Sequence, residues 1–529
     1  MANGSAAPIL GDMNRTHTIT LELLEAGDGL SGRALDGRGA AREFSGRLGL
    51  MHTIDELLAA ASENQEDPMN PTETALRMPD ARALRRLIGG PALAPGDEGY
   101  HEARGVFNLT IDQRPAMIAE PGSREEVAAV VDFAREEGLR VAPQRTGHNA
   151  GPLGPLDGTV LLKTNRLDRV HVDKAACRAR TGAGARWEDV VPQASELGLA
   201  ALHGSTPDVS VAGYSLGGGM GWYGRKHGLA ANSIRAIELV TADGEIRRVD
   251  HENEPELFWA LRGGGGNYGV VTALEFDLLP VSEVYAGALF FPFERAAEVL
   301  HAWHQWTAGV PDEVTSVGRM LQFPPVPEVP EPVRGKSFAL VEAVFLGSEA
   351  EGRELIAPLR DLGPAMDSFA MVPPVGIAEL HMDPRDPVPA DTDHALLGEL
   401  PPRAIDDLVA AAGPGSGSSL VSVELRHTGG ELARRRPGNG AIASLPGEFA
   451  SFSVGMAIPE IAAKTAEDLA RVSAATRDHE AGRYLNFVER EMTTESAFEA
   501  ETAARLTAAR DAYDPERLFQ PNHEIGAAR

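Results

Sequence analysis

The stretch Arg140–Gly154, RVAPQRTGHNAGPLG, decides the fold of this chain. A short apolar strand at its start leads into a turn that holds Arg145, Thr146, Gly147, His148 and Asn149. Glycine permits a close backbone approach, and successive N–H groups in such a turn converge on an anion. The stretch therefore predicts an anion-binding turn with His148 at its tip, and a solvated loop histidine is the common alternative.

A second glycine-rich stretch, Gly204–Ile234, follows further along the chain. It carries the pattern G–x–x–x–GGG–x–G, formed by Gly213, Gly217, Gly218, Gly219 and Gly221. The run lacks the strand–turn–helix context of a Rossmann site, and also the acidic residue expected about 20 residues later. The sequence thus argues against a Rossmann NAD site.

In their order and distance, the two stretches together closely resemble the FAD-binding domain of the vanillyl-alcohol oxidase/PCMH flavoprotein superfamily. The nearer match is its berberine-bridge-enzyme-like branch, and the resemblance covers residues 88–529. It implies an FAD-linked oxidoreductase, most simply an oxidase. Such an enzyme takes hydride from an alcohol, sugar or secondary-metabolite C–H bond and reduces oxygen to hydrogen peroxide. His148 occupies the place of the histidine that is bonded to the flavin C8 methyl group.

The resemblance also implies roles for residues outside the first turn. Thr206 stands where many relatives have a cysteine bonded to flavin C6, so a single covalent link is implied. Val209 falls at the family's oxygen gate, where valine is associated with oxidases, and core packing is the alternative. Val271 belongs to the strand that touches the adenine end of FAD. The other cofactor-binding candidates are Tyr214, Asn486 and Asn522.

The catalytic base is sought on the substrate-domain sheet, because relatives use a tyrosine or a carboxylate there. Hydride transfer from a hydroxyl-bearing carbon needs a base within about 2.6–3.2 Å of the proton. In Leu420–Gly430, alternation directs Val421, Val423 and Leu425 toward covering helices, and Ser422, Glu424 and Arg426 toward the flavin. Glu424 is one candidate base, and a structural ion pair with Arg426 is the alternative.

A second segment, Tyr484–Glu489, offers another base. Strand alternation would place Tyr484 and Asn486 on one face and Phe487 on the other. Relatives often have tyrosine where Phe487 stands, so that base is absent here. Tyr484 is therefore the second candidate, with Asn486 positioning flavin or substrate. His427, expected on the apolar side of its strand, is the third candidate.

The elements predict an α+β fold in four parts. Residues 1–82 are predicted to form a small, mostly β accessory module, and residues 83–280 a PCMH-type FAD-binding domain. Residues 281–480 would form a substrate-binding domain, an antiparallel sheet covered by helices on one face. Residues 481–529 would return to the flavin domain, which is thus discontinuous.

Composition limits partners and location. The net charge of −28 opposes binding to nucleic acids and to anionic membranes. No apolar run reaches the roughly eighteen residues of a membrane span. Cys177 is the only cysteine, and residues 1–18 lack signal-peptide features, which favours a cytoplasmic location. His301 and His304 share a helix face without a third ligand, so no metal is expected.

The expected partners are a small-molecule substrate and molecular oxygen, and the oligomeric state is left open. Two other functions stay open from the sequence. One is a dehydrogenase that passes electrons to another acceptor, and the other is a flavin-carrying binding protein with little turnover. Bleaching of the flavin by substrate would separate an enzyme from a binding protein.

Overall fold

The computed structural model divides the chain into two compact units, Met1–Arg77 and Met78–Arg529. The residues that the structure describes are 19–24, 31–36, 41–45, 81–325, 329, 331 and 333–526.

The first unit contains a three-stranded antiparallel sheet within its described residues. The strands are β1 (Ile19–Leu24), β2 (Ser31–Asp36) and β3 (Ala41–Ser45), in the order β1-β2-β3. They fall where alternating residues and glycine-rich turns predict strands. The pattern of residues 51–61, MHTIDELLAAA, predicts a helix, and this segment lies outside the described residues.

The second unit begins with a small sheet that is parallel at its centre. Helix Arg124–Glu136 packs on it, and the hydroxyl of Ser123 caps this helix by accepting from the Glu126 N–H. The carboxyl ends of parallel strands meet at one edge, so the turn after β6 lies at that edge. The strands, in the order β4-β5-β7-β6, are β4 (Ala92–Leu93), β5 (Met117–Ala119), β6 (Arg140–Gln144) and β7 (Thr159–Lys163).

A second, antiparallel sheet completes the flavin-domain half. Cys177 lies in the turn before the strand Arg178–Gly182 and has φ 48°. Its strands, in the order β11-β10-β12-β9-β8, are β8 (Val170–Asp173), β9 (Arg178–Gly182), β10 (Ile234–Val240), β11 (Ile246–Asp250) and β12 (Val270–Asp277). Its helices are Trp187–Glu196, Val211–Leu216 and Pro255–Gly264.

The substrate-domain sheet is antiparallel, and its main path runs β16-β13-β15-β14-β19-β20-β18-β21, with β17 beside β13. One face packs against helices through a large apolar core that includes Trp303, Leu408 and Leu469. The strands are β13 (Val284–Pro292), β14 (Val314–Gln322), β15 (Ser337–Phe345), β16 (Met366–Asp367), β17 (Ala370–Val372), β18 (Ala390–Leu397), β19 (Leu420–His427), β20 (Phe449–Met456) and β21 (Glu480–Gly482). The helices are Ala296–Thr307, Glu349–Arg360, Pro402–Ala412 and Ala462–Thr476.

The last segment contacts the flavin-domain sheets again. The N–H of Val141 in β6 donates to Leu518 O at 2.8 Å, and the Gln520 N–H donates back to Val141 O at 2.9 Å. Leu506, from helix Ala500–Tyr513, is buried in the core of the second sheet. The remaining helices are Ala81–Leu87, Tyr100–Ala103, Gly224–His227, Ala230–Ser233 and Thr494–Ala497.

Candidate active site

The turn after β6 exposes backbone donors. Gly147 has φ 72°, and a Cβ at this position would lie 2.8 Å from the Val106 side chain. The N–H groups of Gly147, His148 and Asn149 donate no hydrogen bond to any described residue. Adjacent unpaired N–H groups at a glycine-containing turn suit an anion such as a pyrophosphate. The Arg145 Nε instead donates to Gly184 O at 2.7 Å, and Thr146 is half-buried.

His148 lies in a pocket that leaves polar atoms without partners. Its imidazole stacks on the Phe107 ring, with centroids 4.0 Å apart and planes at 26°. Its Nε2 lies 3.4 Å from Asp208 Oδ2 but makes no hydrogen bond. Within the described residues, both this Nε2 and Asp208 Oδ1 are buried without a hydrogen-bond partner. Buried polar atoms are rarely left unpaired, so the pocket fits a bound group beside His148.

Residues from the C-terminal segment 481–529 contact the turn that carries His148. The Asn149 side chain donates to Leu485 O at 3.1 Å, and the Asn522 side chain donates to Asn149 O. His523 Nε2 also lies 3.1 Å from Leu485 O. Asn522 therefore contacts the His148 turn. His523 carried no sequence signal, because the approach of residue 523 to residue 149 is long-range.

Tyr484 anchors the glycine-rich stretch. Its hydroxyl oxygen accepts hydrogen bonds from the N–H of Gly219 at 3.0 Å and of Met220 at 2.8 Å. The Asn486 amide donates to the same oxygen at 2.9 Å. Burial raises the pKa of Tyr484 to about 12. An oxygen that already accepts three hydrogen bonds, with a raised pKa, is poorly suited to take a proton from substrate.

The strand alternation predicted for Tyr484–Glu489 is wrong. Leu485–Phe487 is a 3₁₀ turn, so Tyr484 and Phe487 lie on adjacent sides, with ring centroids 5.1 Å apart. Asn486 nevertheless lies against the glycine-rich stretch, where a Cβ on Gly217 would be 1.9 Å from its side-chain oxygen. Gly213 and Tyr214 precede this point in helix Val211–Leu216 and not in a loop. The segment ending in Gly218, Gly219 and Gly221 follows that helix.

A polar network lies on the face of the substrate sheet opposite its helices. His381 lies at its centre, with Nδ1 2.6 Å from Glu342 Oε2 and Nε2 2.7 Å from Glu424 Oε2. The other carboxylate oxygen of Glu424 accepts from Arg426 Nε at 2.6 Å. We call this set the His381 network. Its members are Arg319, Glu342, His381, Asp383, Glu424 and Arg426.

The His381 network contacts the second loop through Asp383. The Thr206 hydroxyl donates to Asp383 Oδ2 at 2.5 Å, and the Ser205 hydroxyl donates to the same oxygen at 3.2 Å. Thr206 is thus directed at a carboxylate of the substrate domain.

The two apolar residues that the sequence analysis placed near FAD lie outside the His381 network. Val209 is half-buried against a core, and Val271 is buried in β12 opposite Leu239.

Glu424 is ionised in this arrangement. Burial opposes ionisation, but Arg426 and then His381 hold the pKa of Glu424 well below its usual range. The ion pair with Arg426, the alternative from sequence, is therefore present in the structure. Ser422, Glu424 and Arg426 share a face as alternation predicts, but Val421 does not pack under the helices. A register shift between Leu420 and Ser422 turns Val421 toward Phe323 and Phe338.

His427 lies on the helix-covered side of its strand. Its ring stacks on Phe449, a residue of the helix-side core, with centroids 5.7 Å apart. The Arg225 guanidinium lies 2.7 Å from His427 Nε2. Burial, together with Arg225, lowers the pKa of His427 to about 3. The imidazole is therefore neutral and faces away from the His381 network.

His381 and Asp383 are site residues that sequence reasoning missed. Both come from the irregular segment before β18, and Met382 between them has φ 58° with its side chain exposed. Non-glycine residues adopt positive φ rarely, and such strained positions cluster at functional sites. The reversal turns both neighbours onto the sheet. The segment from His381 to Asp383 has neither helical nor strand periodicity. The sequence therefore could not predict that it contacts the substrate-domain sheet.

No group of three or more His, Cys, Asp or Glu residues in the described part of the chain is arranged to hold a metal ion. His301 pairs with Asp406 at 2.7 Å, and the His304 ring lies 5.4 Å from the Phe449 ring. Among the described helices, none has the length and apolarity needed to cross a membrane.

The chain is similar to known FAD-binding proteins. A family model described as an FAD binding domain matches residues 115–250. (R)-6-hydroxynicotine oxidase of Paenarthrobacter nicotinovorans is 29% identical over 468 residues, covering 83% of this chain and 97% of the relative. Glucooligosaccharide oxidase of Sarocladium strictum is 36% identical over 190 residues, covering 35% and 38%. The structure of wild-type Physcomitrella patens BBE-like 1 superimposes with a TM-score of 0.73 at 21% identity, covering 84% and 99%.

The chain is similar to FAD-linked oxidoreductases of the vanillyl-alcohol oxidase/PCMH superfamily. It is an FAD-dependent oxidase, because an FAD-binding domain is present and a relative that matches most of its length is an oxidase. The FAD-linked oxidoreductase and the α+β fold class predicted from sequence are confirmed. The unpaired N–H groups after β6 lie within the matched FAD-binding region, and so do the buried, unpartnered polar atoms of His148 and Asp208.

Proposed function

We propose that this oxidase carries FAD bonded to His148 and oxidises a small molecule at a carbon bearing a hydroxyl or amino group. The observation that supports it is the buried, unpartnered Nε2 of His148, beside a turn whose N–H groups are also unpaired. When bound, FAD takes the hydride from the substrate carbon and passes two electrons to oxygen, giving hydrogen peroxide. The protein supplies attachment, orientation and proton transfer.

Attachment at His148 is proposed to be the only covalent link. Threonine has no sulfur, so Thr206 cannot form the thioether that many relatives make at this place. Its hydroxyl instead donates to Asp383. Asp208, 3.4 Å from His148 Nε2, is proposed to hold the imidazole in the orientation needed for attachment.

Glu424 is the proposed base. A base must be unprotonated before it acts, and the lowered pKa of Glu424 keeps it ionised at neutral pH. Arg426 covers one carboxylate oxygen and lies over the Phe487 ring, 5.0 Å from its centroid. A substrate hydroxyl reaches Glu424 by displacing this guanidinium, which is the more exposed partner of the pair. Tyr484 is proposed to orient the glycine-rich stretch, and His427 to have a structural role.

The substrate class remains a proposal. Two relatives are named for substrates of different chemistry, a hydroxynicotine and a glucooligosaccharide. Polar groups on one sheet face, flanked by the apolar set of Phe290, Phe323 and Phe338, suit a substrate with one polar and one apolar end. Oxygen as acceptor agrees with valine at residue 209. Cytoplasmic location and a role in secondary metabolism stay predictions from the sequence.

The test is retention of flavin after denaturation. Wild-type protein should stay yellow after acid precipitation and should carry flavin fluorescence in a denaturing gel. His148→Ala should lose that fluorescence, whereas His171→Ala, at an exposed position of β8, should keep it. Complete release of flavin from wild-type protein would refute the covalent link, and FAD binding without the link would then stand.

A further inference from the structure

His381 is enclosed by charged groups from four parts of the fold. Glu342 on β15 and Glu424 on β19 meet its two ring nitrogens, and its side chain is 2% exposed. Further charged groups come from β14, from β19 and from its own segment. The rings of Trp222 and His381 form a T-shaped pair with centroids 6.1 Å apart. These further charged groups are Arg319, Arg426 and Asp383.

The geometry fixes the protonation of the imidazole. A neutral imidazole has one donor and one acceptor nitrogen, but here each nitrogen faces a carboxylate oxygen at hydrogen-bond distance. Nε2 also lies 3.2 Å from Arg426 Nη2, but a lone pair on Nε2 would point at the nearer Glu424 oxygen. Carboxylates only accept hydrogen bonds, so we assign a proton to both nitrogens. The pKa of His381 is raised to about 9: burial and Arg319 oppose this, but Glu342 and Glu424 outweigh them. His381 is an imidazolium at neutral pH.

The sequence does not predict that His381 lies against the substrate-domain sheet. His381 belongs to an irregular segment that changes direction at Met382. Met382 keeps a left-handed backbone conformation although this conformation costs free energy. Glu342 and Glu424 lie on strands that do not pair with one another, because β14 lies between β15 and β19. His381 therefore bridges two carboxylates across an intervening strand.

We propose that His381 is a positioning residue for substrate oxidation: as an imidazolium bridging Glu342 and Glu424, it holds Glu424 oriented and ionised to accept the substrate proton. The inference rests on the proposed role of Glu424 as base. In that step the substrate O–H or N–H proton passes to the Glu424 carboxylate, and the C–H hydrogen leaves with its electron pair as hydride to FAD. His381 touches neither reacting bond and acts through Glu424.

The main test is the pH profile of anaerobic flavin reduction. His381→Gln keeps a hydrogen-bond donor and removes the charge, so the pKa of Glu424 should rise. The acidic limb of the rate profile should then move to higher pH by about one unit or more. His301→Gln is the matched control, since His301 also pairs with a carboxylate, Asp406, but on a covering helix. Its profile should coincide with that of wild type.

Two further variants keep the test decisive. His381→Gln leaves two buried carboxylates facing each other, so the double variant His381→Gln/Glu342→Gln serves if the single variant does not fold. It preserves net charge and should show the same shift. Glu424→Gln should lower the reduction rate by roughly a hundredfold or more.

The outcomes separate the two proposals. If Glu424→Gln reduces flavin normally, the base assignment fails and the role of His381 fails with it. If Glu424→Gln is impaired while the histidine variants keep the wild-type acidic limb, only the His381 inference is overturned. A readout independent of turnover is nitrogen-15 labelling of histidine. At about pH 7.5, one histidine should show two protonated ring nitrogens, absent in His381→Gln. A neutral His381 would overturn the inference.

Discussion

The imidazole Nε2 of His394 accepts a hydrogen bond of 3.0 Å from the backbone N–H of Tyr484. The other ring nitrogen, Nδ1, lies 2.6 Å from the carbonyl oxygen of Ser451, so it carries the proton. Tyr484 in turn accepts from Gly219 and Met220. A neutral histidine of the substrate sheet thus fixes the residue that supports the glycine-rich stretch of the flavin domain.

Tyr484→Phe should destabilise the protein without abolishing catalysis. The N–H groups of Gly219 and Met220 lose their acceptor, and an unsatisfied buried donor costs about 1–3 kcal/mol. Denaturant unfolding measures this loss, and Tyr513→Phe, at an exposed hydroxyl bonded to Glu254, is the control. If Tyr484→Phe instead slows anaerobic reduction a hundredfold with stability unchanged, Tyr484 is the base.

Asp208→Asn should lower the fraction of flavin that stays attached after denaturation. The carboxylate lies against His148 Nε2, and asparagine keeps its size but not its charge. Gel fluorescence per mole of protein measures the fraction, with Asp157→Asn at an exposed position as control. An unchanged fraction in Asp208→Asn would show that His148 is oriented without this carboxylate.

Acid should unfold the protein partly through His394 and His427. Burial, with smaller effects of nearby groups, lowers the pKa of each to about 3. A group with a depressed folded pKa contributes stability above its unfolded pKa, about 6.5 for histidine. That contribution is lost as pH falls from about 6.5 toward 3. Unfolding free energies between these pH values should fall less steeply for a folded His427→Gln variant, and parallel curves would contradict the prediction.

Val209→Leu should slow reoxidation of the reduced flavin by oxygen. A larger side chain at the proposed oxygen gate narrows the path, whereas the substrate side is untouched. Stopped-flow absorbance measures the two half-reactions separately, with anaerobic reduction by substrate nearly unchanged. Equal losses in both half-reactions would assign Val209 to the apolar core on which it packs.

The turn that we predict to bind flavin was readable from sequence because its signals are local. The turn at Arg145–Asn149 follows directly from a strand and a glycine, and Gly147 adopts the positive φ that such a turn needs. The alternation of β19 likewise placed Ser422, Glu424 and Arg426 on one face. These patterns depend on neighbours within a few residues, which is what a sequence displays.

Alternation failed where the backbone leaves regular geometry. A register shift reoriented Val421, and a 3₁₀ turn replaced the strand expected at Tyr484. Neither departure has a marker in the residues themselves, because hydrogen bonds to distant partners stabilise them.

The sequence by itself determined the resemblance to FAD-linked oxidoreductases, the turn at Gly147 and the face of β19 that carries Glu424. Only the tertiary structure decided what surrounds Glu424. Glu342, His381 and Glu424 are separated by tens of residues, and they meet because β14 spaces two strands and a left-handed Met382 turns an irregular segment inward. The charge state of a buried group depends on the charges around it, so the electrostatics of this site exist only once the chain has folded.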